Sequence, residues 1–357
     1  MKSLLFSLAL PLFAASASIA ADGVPPPIIA PLFAKDQGDT RAVLLIKDGR
    51  LIAKHYSAGY SDANRFISWS MAKSVTAVLI GELVADGKLS LDAPVPIAEW
   101  QAAGDPRGAI TLRAMLHMSS GISHVEVGDP VYASDTNQIL FVGGTNDMAT
   151  RAIAKSLEST PGTVYEYSSM TSLILAELIT RTLTPSRNPK TRARAYQAFA
   201  QARLFDPAGI TSAVFDFDGA GTQIGGSIIY MSLDDWGRFG NILLSGKGVR
   251  GDRIVDADWL GFMRTPAPTN GAYGGHVWLN RKGPPGADEA LFAGTGPDTL
   301  FSCVGHLGQY VIASPDQAIV LVRLGKTNDP DLAPVRAALG QIISQFPTNA
   351  KAHKPDV

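Results

Sequence analysis

Strand signals crowd both ends of this chain and are sparse in its middle, which narrows the folds open to it. Near the start, residues 42–46 and 51–56 are β-prone runs flanking Asp48-Gly49, a dipeptide suited to a tight hairpin. Near the end, "YGGHVWLN", "TLFSCVG", "GQYVIAS" and "QAIVLVRLG" are short and rich in β-formers, with Pro315-Asp316 turning between the last two. Between these ends the chain reads as helix and loop. Thr111 is placed to cap "LRAMLHM", and "SSMTSLILAELITRTL" and "TRARAYQAFAQARLF" are further helices, punctuated by Pro185, Pro189 and Pro207. Ser232 opens another helix in "SLDDWGRFGNILLSG", and a last one spans 331–345 with Val335, Leu339, Ile342 and Ile343 on one side. The economical architecture is α+β: one antiparallel sheet drawn from both termini, with a helical lobe at about residues 90–220 inserted between its halves. A site is then expected in the cleft between sheet and lobe.

The first 20 residues stand outside this pattern. Lys2, an apolar run over 4–15 and the small residues of "ASASIAADG" predict a secretory signal cleaved after Ala20. That run is short for a bilayer span, and no later segment is long and apolar enough to be one. The expectation is an exported, periplasmic or secreted protein without a membrane span once the signal is removed. Cys303 is the only cysteine, so no intramolecular disulfide and no Cys cluster for a metal is expected. A formal net charge of −1 with no basic run disfavours nucleic acid as a partner.

Chemistry is concentrated in "ISWSMAKSVTAVLIGELVADG", residues 67–87. Met71, Val75, Val78, Leu79 and Leu83 recur at helical spacing, Gly87 is a plausible stop, and Ser70 falls at the helix start. Ser70 and Lys73, three residues apart, share a face, so Oγ and Nζ can meet. A serine needs a base, and a desolvated lysine can serve as one. The helix start adds free N–H groups that can hold an oxyanion. Ser-x-x-Lys is short enough that about one chance match is expected in a chain of this length, so in isolation a capping serine and a solvated lysine account for it better than catalysis does.

The surroundings decide between these readings. "WSMAKSVTAVLIGELVADGKLSLDAPV", "ITLRAMLHMSSGI", "PGTVYEYSSMTSLILAELI", "GGSIIYMSLDDWGRFGNILLSGKG" and "GHLGQYVIASPDQAIVLVRLG" follow one another in order. This series resembles the serine β-lactamase-related hydrolases: the class C β-lactamase, DD-peptidase and family VIII esterase branch of penicillin-recognising enzymes. The resemblance covers nearly all of residues 21–357 and implies a single catalytic domain with the β-lactamase/transpeptidase-like fold. It implies that Ser70 is acylated, that Lys73 is its partner, and that Tyr167 of "YEYSS" exchanges the proton passing between Ser70 and the leaving group. Tyr165 is the alternative register.

Two departures qualify the resemblance. Ser169 stands where β-lactamases of this branch usually carry Asn, as in the 6-aminohexanoate-dimer hydrolase subgroup. His306-Leu307-Gly308 stands where Lys-Thr-Gly is usual, followed by Gln309, whose N–H would be the second oxyanion donor. Gly308 would let substrate lie along the strand, and His306 would replace the lysine that holds a substrate carboxylate. Tyr132, in the loop between the first two motifs, is a candidate substrate contact on the same resemblance. His117 reads as a structural hydrogen-bonder, and Glu166 is placed by no motif.

The expected activity is hydrolysis of a small ester or amide through an acyl-enzyme, as a carboxylesterase or a 6-aminohexanoate-oligomer amidase, without a cofactor. The alternatives are a class C-like β-lactamase or D-amino-acid peptidase, and a non-hydrolytic penicillin-binding sensor module. No Gly-x-Ser-x-Gly, phosphate-binding loop or His-Glu-x-x-His occurs, so other hydrolase schemes and a metal site have no sequence support. The oligomeric state is not readable.

Overall fold

The computed structural model describes residues 18–19, 23–285 and 290–348. Most of the expected signal segment therefore lies outside the described residues. The strands are β1 (Ser18–Ile19), β2 (Asp39–Lys47), β3 (Arg50–Tyr56), β4 (Phe66–Ile67), β5 (Val214–Phe215), β6 (Ile229–Met231), β7 (Trp278–Leu279), β8 (Phe301–Gly305), β9 (Gln309–Ser314) and β10 (Ile319–Lys326). The helices are α1 (Ala72–Ala85), α2 (Leu112–Leu116), α3 (Asp135–Asn137), α4 (Met148–Ile153), α5 (Ser169–Leu183), α6 (Pro189–Ala200), α7 (Asp206–Ala208), α8 (Leu233–Ser245), α9 (Ala257–Arg264) and α10 (Leu332–Ser344). Among the described residues no helix is long and apolar enough to cross a membrane.

The main sheet runs β1-β3-β2-β10-β9-β8-β7. Apart from β1, which lies parallel to β3, its neighbours are antiparallel. The β2–β10 pairing joins the N-terminal hairpin to the C-terminal strands, as the α+β expectation requires. Asp48 and Gly49 turn that hairpin with φ of 49° and 73°.

Both faces of the sheet are covered, so its central strands are apolar on both sides rather than alternating. Val43 and Leu45 point into the layer under α10, whereas Leu44 and Ile46 point the other way, toward α8 and the main core. In β10, Ile319 and Leu321 face the first layer and Val320, Val322 and Leu324 the second. The two-residue period of a strand sorts the side chains this way.

The periodicity of 71–83 suggests a helix with one buried stripe, and here the structure differs. Residues 72–83 of α1 are all buried, so α1 is a central helix enclosed on every side. Its polar residues Lys73, Ser74 and Thr76 hydrogen-bond to neighbours rather than to water. A small second sheet, β4-β6-β5, ties down the chain leading into α1. Strands of two or three residues leave no readable pattern in a sequence, and this sheet was not anticipated.

Candidate active site

Ser70 lies in a single 3-10 turn, Trp69–Met71, that runs directly into α1. Two bonds to β6 hold this turn: Ser68 N–H donates to the Ile229 carbonyl (2.8 Å), and Ile229 N–H donates to Ser68 Oγ (3.0 Å). Trp69 takes a φ of 43°, an uncommon left-handed conformation for a bulky residue and one that concentrates at functional turns.

One helical turn on, Lys73 is 1% exposed. Its Nζ contacts Ser70 Oγ (3.0 Å), Ser169 Oγ (2.9 Å) and the Gly226 carbonyl (2.7 Å). Burial drives the Lys73 pKa down to about 8, against the Glu126 carboxylate, which pulls it up.

Tyr167 reaches the same point from the segment before α5. That segment hangs from Met118, whose carbonyl accepts Glu166 N–H (2.7 Å) and whose sulfur accepts Ser168 N–H (3.4 Å). Ser168 then caps α5 through Thr171 N–H (3.1 Å), which places Ser169 in the first turn beside Lys73. The Tyr167 ring stacks on Trp278 at 5.5 Å between centroids, and Tyr167 lines the same cleft as Ser70. Burial and the Glu126 charge hold that phenol far above its usual range, so it is protonated whenever the enzyme works. Tyr165 packs against Tyr273 at 5.5 Å and is not among the residues lining the cleft, whereas Tyr167 is.

The facing wall is where the sequence reading needs correcting. His306, Leu307 and Gly308 form the turn between β8 and β9, and Gln309 pairs with Gly305 across it. Gln309 is 2% exposed, and its Nε2 donates to the carbonyls of His306, Leu307 and Gly325. That side chain braces the hairpin, and Gln309 is not among the residues lining the cleft. Gly308 has a φ of 80° and backs onto Arg323, so it is a turn glycine and not a bed for substrate. Val304, Gly305 and His306 form the wall opposite Ser70. A Cβ on Gly305 would lie 2.3 Å from the Ser68 carbonyl oxygen, so only glycine lets β8 approach the Ser70 turn this closely. In "GHLGQY" the glycines belong to a turn, and such glycines resemble those of a strand-edge motif.

His306 is exposed and sets its ring edge-on to Trp69 at 5.4 Å. The buried Arg323 fastens its turn, donating to the Gly308 carbonyl (2.6 Å), the Leu307 carbonyl (3.3 Å) and the hydroxyls of Thr40 and Thr327. Tyr132 is 65% exposed on the loop after residue 124 and is not part of the cleft wall. His117 stacks on Phe262 at 5.0 Å, with its buried Nε2 unbonded, so its role is packing rather than hydrogen bonding. Glu166 stays outside the cleft, its carboxyl pushed up to about 8 by burial and the neighbouring Glu158.

One residue of the site escaped the sequence reading. Glu126 stands in the loop after Ile122 and borders the cleft. Its Oε1 accepts the Ser169 hydroxyl (2.6 Å), and its Oε2 accepts Ser169 N–H (2.7 Å), Thr136 Oγ1 (2.9 Å) and a bond to His124 Nε2 (2.6 Å). Burial alone would raise this carboxyl, but His124, Lys73 and Ser169 outweigh it and hold it at about 2. No motif spacing links residue 126 to 169, so the sequence carried no signal for it. Among the described residues no cluster of His, Cys, Asp and Glu could hold a metal ion.

Ser70 and Tyr167 thus line a cleft of about 540 Å³ together with Trp278, His306 and Arg336, and the buried Lys73 amine backs onto Ser70. The family model described as beta-lactamase matches residues 28–344. The chain belongs to the beta-lactamase family. Its members are serine hydrolases, and this chain has their β-lactamase/transpeptidase-like fold. It is 24% identical over 315 residues to the 6-aminohexanoate-dimer hydrolase of Paenarthrobacter ureafaciens, covering 82% of this chain and 74% of that one. A penicillin-binding protein homologue from Caulobacter crescentus superposes with a TM-score of 0.65 at 14% identity, over 90% of this chain and 99% of that one. EstCE1, a hydrolase with promiscuous acyltransferase activity, gives 0.65 at 15% identity, over 89% and 96%. These structural likenesses speak for the beta-lactamase fold alone.

Proposed function

We propose that this beta-lactamase-family protein is an exported serine hydrolase that cleaves esters or amides through an acyl-enzyme on Ser70, of the carboxylesterase or 6-aminohexanoate-oligomer amidase type. The observation that carries the reading is the contact of Lys73 with Ser70, 3.0 Å between a desolvated amine and a hydroxyl. Lys73 takes the Ser70 proton as Oγ bonds to the substrate carbonyl carbon. The N–H groups of Ser70 and His306, on opposite walls of a narrow cleft, receive the oxyanion. The protonated Tyr167 passes its proton to the leaving group and recovers one from Lys73, and water then hydrolyses the acyl-enzyme. The amidase reading draws on the similarity to 6-aminohexanoate-dimer hydrolase and on Ser169 at the third motif position.

A second reading, β-lactamase or D-amino-acid peptidase, keeps one observation in its favour. Arg336 of α10 lines the cleft and offers a guanidinium to a substrate carboxylate, which the missing motif lysine does not.

The test is intact-mass analysis after exposure to a fluorophosphonate, with Ser70→Ala as control, beside turnover of short p-nitrophenyl esters, 6-aminohexanoate dimer and nitrocefin. Labelling of the wild type but not of the variant is expected, with ester or amide turnover above nitrocefin turnover. Equal labelling of the variant overturns Ser70, and dominant nitrocefin turnover favours the second reading.

A further inference from the structure

Lys73 Nζ has three hydrogen-bond partners, and what each can donate or accept determines where its lone pair points. The Gly226 carbonyl can only accept. Ser70 and Ser169 can each donate or accept, so nothing between the lysine and these two hydroxyls chooses a direction. Glu126 makes the choice for Ser169. Its carboxylate accepts both the hydroxyl and the backbone N–H of Ser169, so the single hydroxyl proton is committed to Glu126. Ser169 Oγ must then accept from Lys73. A neutral Lys73 spends its two N–H groups on Ser169 and Gly226, and its lone pair is left facing Ser70.

We propose that Glu126 is a positioning residue that orients the chain of hydrogen bonds from Lys73 through Ser169, aims the Lys73 lone pair at Ser70, and balances the ammonium formed when Ser70 is deprotonated. This rests on the reading of Ser70 as nucleophile. Glu126 does not act as a base for deacylation: held near pKa 2, it is too weak to draw a proton from water. Its own position is fixed by His124 and Thr136. The charged and titratable groups around the pair are few. Lys73 faces Glu126 from the loop and Tyr167 from the segment before α5, with His276 buried nearby and kept neutral. Behind Glu126 stand His124, Asp135 and Lys155.

The experiment compares kcat/KM against pH for the wild type, Glu126→Gln, Glu126→Asp, Ser169→Ala and Glu126→Gln/Ser169→Ala, each first shown to be labelled at Ser70. Failure of wild-type labelling would count against the nucleophile assignment, and the comparison then has no bearing on Glu126. Glu126→Gln should lower kcat/KM by at least roughly tenfold and move the acid limb to lower pH, because a charge favouring the ammonium is gone. Glu126→Asp should restore the limb toward the wild type. The double variant should lose little more than either single one, since both break one chain. A purely structural role would lower the rate without moving the limb. An unmoved limb in Glu126→Gln, or losses that add in the double variant, overturns the proposal. If Glu126→Gln does not fold, Ser169→Ala removes a single oxygen atom from the same chain: it should lower kcat/KM by roughly tenfold with the limb in place, because the Glu126 charge remains, and an undiminished rate overturns the proposal.

Discussion

Lys73 Nζ sits 4.8 Å from the centroid of the Tyr167 ring, over its face. The ring covers the amine, while Tyr167 lines the same cleft as Ser70. Tyr167 therefore does two separable things: it carries a proton, and it keeps water from Lys73. Tyr167→Phe should retain the second and lose the first. We expect kcat/KM to fall by about 10²–10⁴ with the acid limb unmoved near pH 8, where Lys73 titrates. Tyr167→Ala also exposes the lysine, and its limb should move up toward the ordinary lysine value. A pH-rate profile of both variants checks this, and a shifted limb in Tyr167→Phe would contradict it.

Burying Lys73 has a cost that shows in stability. Its pKa falls from 10.5 to about 8 on folding, so between these values the unfolded chain binds more protons. Stability should rise with pH across that window, and below pH 8 the full penalty, about 3 kcal/mol, is present. Lys73→Met should abolish turnover, and its urea midpoint should lack the wild-type rise between pH 8 and 10.5. Parallel slopes for the two proteins would refute this account of the lysine.

Two glycines of the facing wall should fail in different ways. Gly305→Ala puts a methyl group against the Ser68 carbonyl, a backbone atom that cannot step aside. Strand β8 must then lift from the nucleophile's turn, and kcat/KM should drop by at least about tenfold through loss of oxyanion contacts. Gly308→Ala meets side chains, Arg323 Nη1 at 2.6 Å and Leu332 Cδ2 at 2.8 Å, at a φ of 80°. Its cost should be about 1–3 kcal/mol of stability, with kcat/KM largely kept. Thermal melts and esterase assays on the two variants separate the effects.

Arg336 gives a test of substrate charge. Arg336→Ala should raise KM for carboxylate-bearing substrates, by roughly tenfold for loss of one charged hydrogen bond, and leave neutral p-nitrophenyl esters unchanged. Equal changes for both classes would place Arg336 in the scaffold.

What the sequence revealed of this site was its short-range part. Ser70 and Lys73 meet because three residues on a helix share a face, and Ser168 caps α5 so that Ser169 follows Tyr167 into the same turn. Such relations are set by local backbone geometry and survive in the residue spacing. The two β-rich ends likewise announced the sheet, since strand pattern and turn residues are local.

Tertiary structure decided the rest. The enclosure of α1 depends on α5 and on Trp259 of α9, which are packed against it, and an apolar period cannot say how many neighbours a helix has. The place of Gln309 depended on whether the β8–β9 turn begins before or after His306, a register set by cross-strand pairing. Glu126 meets Ser169 across 43 residues of loop and helix, through a carboxylate whose partners come from three separate segments. By itself the sequence determined which groups stand one helical turn apart. Only the packed fold, by excluding water and bringing distant polar groups within hydrogen-bonding range, decided which of them are neutral, which are charged and which way their protons point.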